Sequence, residues 1–369
     1  MARAGLGAGW NCLFANDFDA RKAAVYAANW GSEHLRVGDV AALRCADLPG
    51  QADLAWASFP CQDLSLAGAG AGLGGARSGS FWPFWQLISG LERQGRAPLL
   101  IALENVCGAL TSHGGKDFAA IGQALADANY RFGALVIDAA NFLPQSRPRL
   151  FIVAAHTSLS LPAHLLAPGP LPQWHPSALT GAYQKLSAAT QKAWLWWRLP
   201  APPARQSRLI DLIEREPGGV RWHSPQETQK LLDMMAPLHQ QKVQLAQTSG
   251  RLTVGAIYKR TRAGRQCAEV RFDDMAGCLR TPAGGSSRQT LLLIQGADIR
   301  SRLLSPREAA RLMGLPDSYA LPANYNEAYH LAGDGVAVPV VQFLAAQLLE
   351  PLLAPPAKSR KKMQEKEAA

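Results

Sequence analysis

The sequence predicts an α/β protein, built on a doubly wound, mostly parallel sheet joined to a smaller irregular domain. Three observations predict it. Across residues 1–155 short apolar runs alternate with helical patterns, the signature of parallel strands with crossover helices. Polar residues stand where those runs end, at Asp17, Cys61 and Glu104, and strand ends of such a sheet share one ligand-binding edge. From His156 the alternation stops and prolines become frequent, which marks a boundary.

The elements follow in order. Asn11 to Ala15 is expected as a strand ending at Asn16-Asp17, and Ala20 to Trp30 as an alanine-rich helix. Asp53 to Phe59 is an apolar strand that Pro60 must stop, because proline has a fixed φ and no amide proton. Cys61 then sits on a rigid turn ahead of a glycine-rich segment, Gly68 to Gly79. A cysteine placed there is either a buried structural thiol or a nucleophile. A helix from Ser80 to Arg93 carries Phe81, Trp82, Phe84 and Trp85, and the strand Pro98 to Leu103 ends at Glu104. A helix over Lys116 to Asn129 leads into strands over Arg131 to Ile137 and Leu150 to Ala155. An acid after an early strand suits ribose hydroxyls; a thiol beside a carboxyl group suits a nucleophile with its general acid.

Beyond His156 the prolines 162, 168, 170, 172 and 176 precede a cluster of Trp194, Trp196 and Trp197, expected as core. Arg208 to Glu214 and Pro225 to Gln247 are expected as helices. Arg251 to Arg271 is basic, with Lys259, Arg260, Arg262 and Arg265 around Tyr258, and forms either a solvated hairpin or a phosphate-contact surface. Pro282 to Gln289 is a glycine-serine loop with one arginine. Ser305, Pro306 and Glu308 spell a capped helix start running to Met313, and Val338 to Leu353 is a final apolar helix.

A chain of 369 residues accommodates two domains. No apolar run is expected to reach the ~20 residues of a membrane span. Asn11, Asn16, Asp17 and Asp19 interrupt the start too soon for a signal peptide. The six cysteines are scattered without a CxxC pair, which argues against a metal site and a disulfide framework and fits a reducing cytoplasm. The net charge is +10; in the tail after Pro356 five basic residues outweigh two acidic ones, leaving +7 for the body. Either a solvated basic surface or a polyanion partner satisfies that balance.

Five stretches, in order, resemble the motifs of the DNA cytosine-5 methyltransferases. They are Phe59-Pro60-Cys61-Gln62, Glu104-Asn105-Val106, Gln145-Ser146-Arg147-Pro148-Arg149, Arg311 to Tyr319, and Gly333 to Pro339. The resemblance runs to about Leu353, with 160–280 matched by position alone. It implies a Rossmann-like methyltransferase sheet and methyl transfer from S-adenosylmethionine, without metal, to carbon 5 of a flipped-out cytosine in double-stranded DNA. Cys61 would add to carbon 6 of the base. Glu104 would hold the base at N3 and its exocyclic amine, with Asn105 beside it. Arg147 would contact the base and steady Cys61 and Glu104; Arg149 would support the site. A nearby arginine also favours the reactive thiolate.

For the cofactor, the resemblance assigns Asp17 to the ribose hydroxyls, Phe18 to stacking on adenine, and Asp39 to its amine with Val40 alongside. Pro60 and Phe81 would line the pocket, and Asp334, Gly335 and Val336 would close it; Asp334 stands where the family usually has Asn. The implied divisions are a cofactor-dependent catalytic domain (1–158), a target recognition domain (159–290), C-terminal motifs returning to the catalytic domain (291–355) and a basic tail (356–369). The resemblance also implies a cytoplasmic, nucleoid-associated monomer, alone or beside a separately acting restriction endonuclease. A tRNA cytosine-5 methyltransferase shares the catalytic motifs, and a silent DNA-binding remnant would keep the basic cleft.

The family opens with a strand and a Phe-x-Gly-x-Gly loop. Here Gly5-Leu6-Gly7-Ala8-Gly9 has no strand before it, and aligned on Asn16-Asp17 the start matches the helix after that loop. The expectation is a chain that starts one element late, through an internal start or a truncated gene.

Overall fold

The computed structural model describes residues 1–59, 81–262, 264–280 and 288–354. Pro60, Cys61, the segment Gly68 to Gly79 and the basic tail lie outside the described residues.

The first half is α/β. Helix α1 (Ala2–Leu6) precedes strand β1 (Ala15–Asp17), helix α2 (Ala20–Trp30) and strand β2 (Leu35–Val37). Asp19 caps α2 by accepting from the Arg21 amide, and β1 and β2 pair in parallel across that crossover helix. Next come β3 (Leu54–Ser58), α3 (Phe81–Arg93), β4 (Leu100–Val106), α4 (Lys116–Asp127), β5 (Tyr130–Asp138) and β6 (Pro148–His156). These four strands form one sheet in the order β3-β4-β6-β5.

The structure qualifies the mostly parallel sheet at one strand, since β3, β4 and β5 run the same way and only β6 opposes them. β1–β2 and β3–β4 are parallel, but β6 runs antiparallel to both β4 and β5. The connection from β5 to β6 carries only a short 3₁₀ turn, Ala139–Asn141, so it cannot provide a crossover and the chain reverses as a hairpin. Pairing with β6 also carries β4 on to Val106, so Glu104 lies inside the strand, opposite Phe151, and not beyond its end.

The sheet is also in two pieces. Among the described residues β1 pairs only with β2, and β3 only with β4. The Leu100 amide donates to the Asp53 carbonyl, so by alternation Leu54, Trp56 and Ser58 turn their main-chain groups to the unpaired side. β3 has the apolar composition of a central strand yet is only half-buried through Ala57, whereas β4 is buried from Leu100 to Asn105. Both open edges line one cavity of about 3330 Å³.

Alternate strand residues feed two cores. On one face Leu100, Leu135, Phe151 and Val153 meet Trp174 and Trp197; on the other Ile101, Leu103, Phe132 and Ile152 meet Phe81, Trp85 and Phe118. Trp197 donates its indole N–H to the Val153 carbonyl and is core, like Trp194, as expected, while Trp196 is half-buried; Trp174 joins the core of Trp197, donating to the Leu199 carbonyl. The stretch after residue 159 therefore begins by packing on the first sheet. It holds short strands β7 (Leu166–Ala167) and β8 (Trp196–Trp197) with helices α5 (Ser177–Gln184) and α6 (Ala188–Lys192).

A second sheet follows α7 (Leu209–Leu212), α8 (Pro225–Asp233) and α9 (Pro237–Thr248). The single helix expected over 225–247 is two, because Pro237 cannot donate within a helix and instead opens α9 at its first turn. Strands β9 (Thr253–Arg262), β10 (Arg265–Arg271), β11 (Thr290–Gln295) and β12 (Asp298–Leu303) pair antiparallel in the order β10-β9-β11-β12. The division expected at 290 thus falls where β11 pairs with β9.

The chain ends with α10 (Pro306–Arg311), α11 (Tyr325–Asp334), α12 (Val338–Leu344), a π-turn (Ala345–Leu349) and α13 (Glu350–Leu353). Ser305 and Glu308 form the expected capping box. Contrary to the sequence expectation, Tyr325–Leu353 is long and apolar enough to cross a membrane, but 61% of its most apolar window is buried in the protein. Val340, Val341, Leu344, Leu348 and Leu349 all join the first core.

Candidate active site

β4 builds one wall of the cavity. Glu104 is 6% exposed, and Arg149, opposite Val106 on β6, brings its guanidinium Nε to 3.3 Å from the Glu104 carboxylate. Burial pushes the Glu104 carboxyl above its ordinary value; Arg149, a hydrogen bond from Ser58 and the charge of Arg147 oppose that shift. A buried carboxyl group raised in this way can hold a proton and offer it to a ring nitrogen. Asn105 donates its amide N–H to the Phe59 carbonyl at 2.8 Å, so β4 ties down the residue from which Pro60 and Cys61 continue.

The two arginines do not divide their work as the sequence implied. Arg149 makes the Glu104 ion pair, while Arg147 turns away and is 1% exposed. Arg147 donates to the carbonyls of Leu279 (2.8 Å), Gly333 (2.8 Å) and Gly335 (2.6 Å), with the Cys278 sulfur 3.5 Å away. The physical reason is spacing. Gln145, Arg147 and Arg149 occupy alternate positions, but only Arg149 lies in register with the end of β4.

The other wall carries the residues expected to hold a cofactor. Asp17, Phe18, Asp39, Val40, Asp334, Gly335 and Val336 all line the cavity with Glu104, Asn105 and Arg149. Asp17 ends β1 and accepts the Asp19 amide on one oxygen; Asp39 caps a 3₁₀ turn by accepting the Ala41 amide on one oxygen. Among the described residues the second oxygen of each carboxylate accepts no hydrogen bond, and Phe18 lies beside them 78% exposed. Two acceptors flanking a bare aromatic ring fit a nucleoside, whose hydroxyls and amine are donors and whose base stacks. Phe81 does not line the cavity. It is 1% exposed and packs behind Phe59 with ring centroids 5.4 Å apart, while its neighbour Trp82 lines the cavity instead.

Three participants escaped the sequence. Lys22 on α2 pairs with Asp334 at 2.7 Å, joining the two cofactor-side segments; its local sequence looks like any surface helix cation. Ser58 reaches Glu104 only because β3 and β4 pair in parallel with these two residues opposite each other. Cys278 arrives on the connection between β10 and β11, 129 residues from Arg149.

Residues 2–350 match the model of the C-5 cytosine-specific DNA methylase family. The chain belongs to that family. Among relatives, the Type II methyltransferase M.BsuFI of Bacillus subtilis is 24% identical over 343 residues, covering 93% of this chain and 68% of the relative. M.HhaI of Haemophilus parahaemolyticus is 23% identical, covering 91% of this chain and 87% of the relative. Among solved structures, the Dnmt2 methyltransferase of S. pombe matches with a TM-score of 0.53 at 18% identity, covering 93% and 91% of the two chains. A putative DNA modification methyltransferase from an E. coli prophage matches with a TM-score of 0.55 at 16% identity, covering 95% of each. This methylase therefore shares the α/β fold of those solved structures, and the relatives named are Type II methyltransferases.

Proposed function

We propose that this methylase transfers a methyl group from S-adenosylmethionine to carbon 5 of a cytosine flipped out of a specific duplex DNA sequence. Cys61 is the nucleophile, adding to carbon 6 of the base. The observation that supports this most is the buried Glu104–Arg149 pair beside Asn105, whose amide holds the chain two residues before Cys61. Glu104, with its raised proton affinity, keeps a proton at N3 of the base and offsets the charge that addition of the thiolate creates. After methylation the proton leaves carbon 5 and the carbon–sulfur bond breaks, returning Cys61. When bound, S-adenosylmethionine supplies an electrophilic methyl group; Asp17, Phe18, Asp39 and the Asp334 to Val336 wall would hold it. We read the two first-half sheets as flanks of a single doubly wound, Rossmann-like sheet, and the basic β9–β10 hairpin as the duplex-facing surface. In that reading the enzyme works as a cytoplasmic monomer on chromosomal DNA, with any restriction endonuclease acting separately.

Duplex DNA containing 5-fluorocytosine tests the chemistry, since fluorine at carbon 5 cannot leave as a proton. The expected result is an adduct that survives denaturing electrophoresis and disappears in Cys61→Ala. Labelled methyl entering tRNA but not DNA would overturn the DNA assignment. The open edges of β1 and β3 favour a second reading, a silent DNA-binding module with a poorly formed cofactor wall. Titration calorimetry with S-adenosylmethionine separates the two, because the silent module would show no binding.

A further inference from the structure

Arg147 is an unusual buried charge. It is 1% exposed and among the described residues has no carboxylate within ion-pair distance; the acceptors of its guanidinium there are three main-chain carbonyls and a thiol. Burial, then the neighbouring Arg149, lower its proton affinity, to a pKa of about 10, so it remains charged at neutral pH. A guanidinium buried among neutral acceptors contributes little stability for its desolvation cost, which points to a geometric role.

That geometry is specific. One arm, Nη1, holds the Leu279 carbonyl in the connection between β10 and β11, and Leu279 is held again through its amide by Gln145. The other arm, Nη2, holds the carbonyls of Gly333 and Gly335, which bracket Asp334 on the cofactor wall. Asp334 is itself paired with Lys22. Two residues along the chain, Arg149 grips Glu104. A planar, rigid fork with its two arms on two segments transmits a shift of either segment to the other, since neither arm can follow alone.

We propose that Arg147 is a positioning residue that couples the cofactor wall at Gly333 to Gly335 with the recognition segment at Cys278 and Leu279, so that cofactor and DNA each favour binding of the other. The coupling rests on the methyltransferase reading above, and its test separates the two. S-adenosylhomocysteine is titrated into the full chain with and without saturating duplex carrying the methylated site. In the wild type, duplex is expected to tighten S-adenosylhomocysteine by roughly 5- to 150-fold. Arg147→Lys keeps the charge but carries its donors on one nitrogen without the two-armed fork, and is expected to bring that enhancement to unity while each ligand alone still binds.

A merely structural role would weaken each affinity and leave the ratio unchanged, and that result overturns the proposal. Hydrogen exchange on the wild type gives a readout that needs no variant. S-adenosylhomocysteine alone should slow exchange at 276–280 as well as at 333–336, and no change at 276–280 overturns the coupling. Binding of both ligands without mutual enhancement refutes the role of Arg147 alone. Binding of neither refutes the methyltransferase reading, and the coupling with it.

Discussion

Replacing Arg149 by methionine removes the partner of a buried acid while keeping much of the side-chain volume. At 3.3 Å the Glu104–Arg149 attraction amounts to about 5 kcal/mol with an effective dielectric constant of ~20. Breaking such a buried pair costs roughly 3–5 kcal/mol of stability, because the surviving charge stays desolvated. At about 2 °C per kcal/mol for a chain of this size, Arg149→Met should melt ~6–10 °C below the wild type at pH 8. The deficit must depend on pH. The folded pKa of Glu104 already lies above its ordinary value of 4.5, so the stability its proton contributes is present at low pH and lost as pH rises through the folded pKa. Losing Arg149 raises that folded pKa further. The variant's deficit therefore shrinks from pH 8 towards pH 5, as Glu104 takes up its proton more readily. The double variant Arg149→Met, Glu104→Gln should recover most of the loss, since no charge remains to be stranded. Thermal unfolding by circular dichroism at both pH values reads all three proteins. Equal deficits at pH 5 and pH 8, or a double variant as unstable as the single one, would refute the reasoning.

Other consequences are as direct. Asp17→Ala deletes a charged acceptor worth ~1.5–3 kcal/mol, so S-adenosylhomocysteine should bind roughly 10- to 150-fold more weakly by calorimetry; unchanged affinity would remove Asp17 from the cofactor site. Arg302 and Glu308 form a fully buried pair at 2.6 Å. Arg302→Met should cost about 3–5 kcal/mol in urea unfolding, and pairing it with Glu308→Leu should restore much of that. In hydrogen exchange the amides of Trp56 and Ser58, on the open edge of β3, should exchange well before those of Ile101 and Leu103 in fully paired β4; similar protection would mean that the β3 edge is covered in solution.

Local signals determined a good part of this protein. Helix Ala20–Trp30 begins after a capping Asp19 and ends at Gly31, which takes the positive φ of 78° that favours glycine, and all of that is written within the segment. The same holds for the Ser305–Glu308 box and the proline start of α10. The acidic and aromatic character of Asp17, Phe18 and Asp39, and the motif order that marks the family, were equally legible in the residues themselves. Only the tertiary structure decided how these pieces meet. Apolar runs identify β4 and β6 as strands, but their antiparallel pairing came from the short turn after β5, and that register chose Arg149 over Arg147 as the partner of Glu104. It also turned Phe81 behind Phe59, sent Arg147 to carbonyls more than 130 residues away, and left β1 and β3 each with one edge unpaired among the described residues. Periodicity and capping are properties of neighbours in the chain. Pairing register and side-chain partnership are properties of segments brought together by burial, and a linear pattern carries no term for the distance between them.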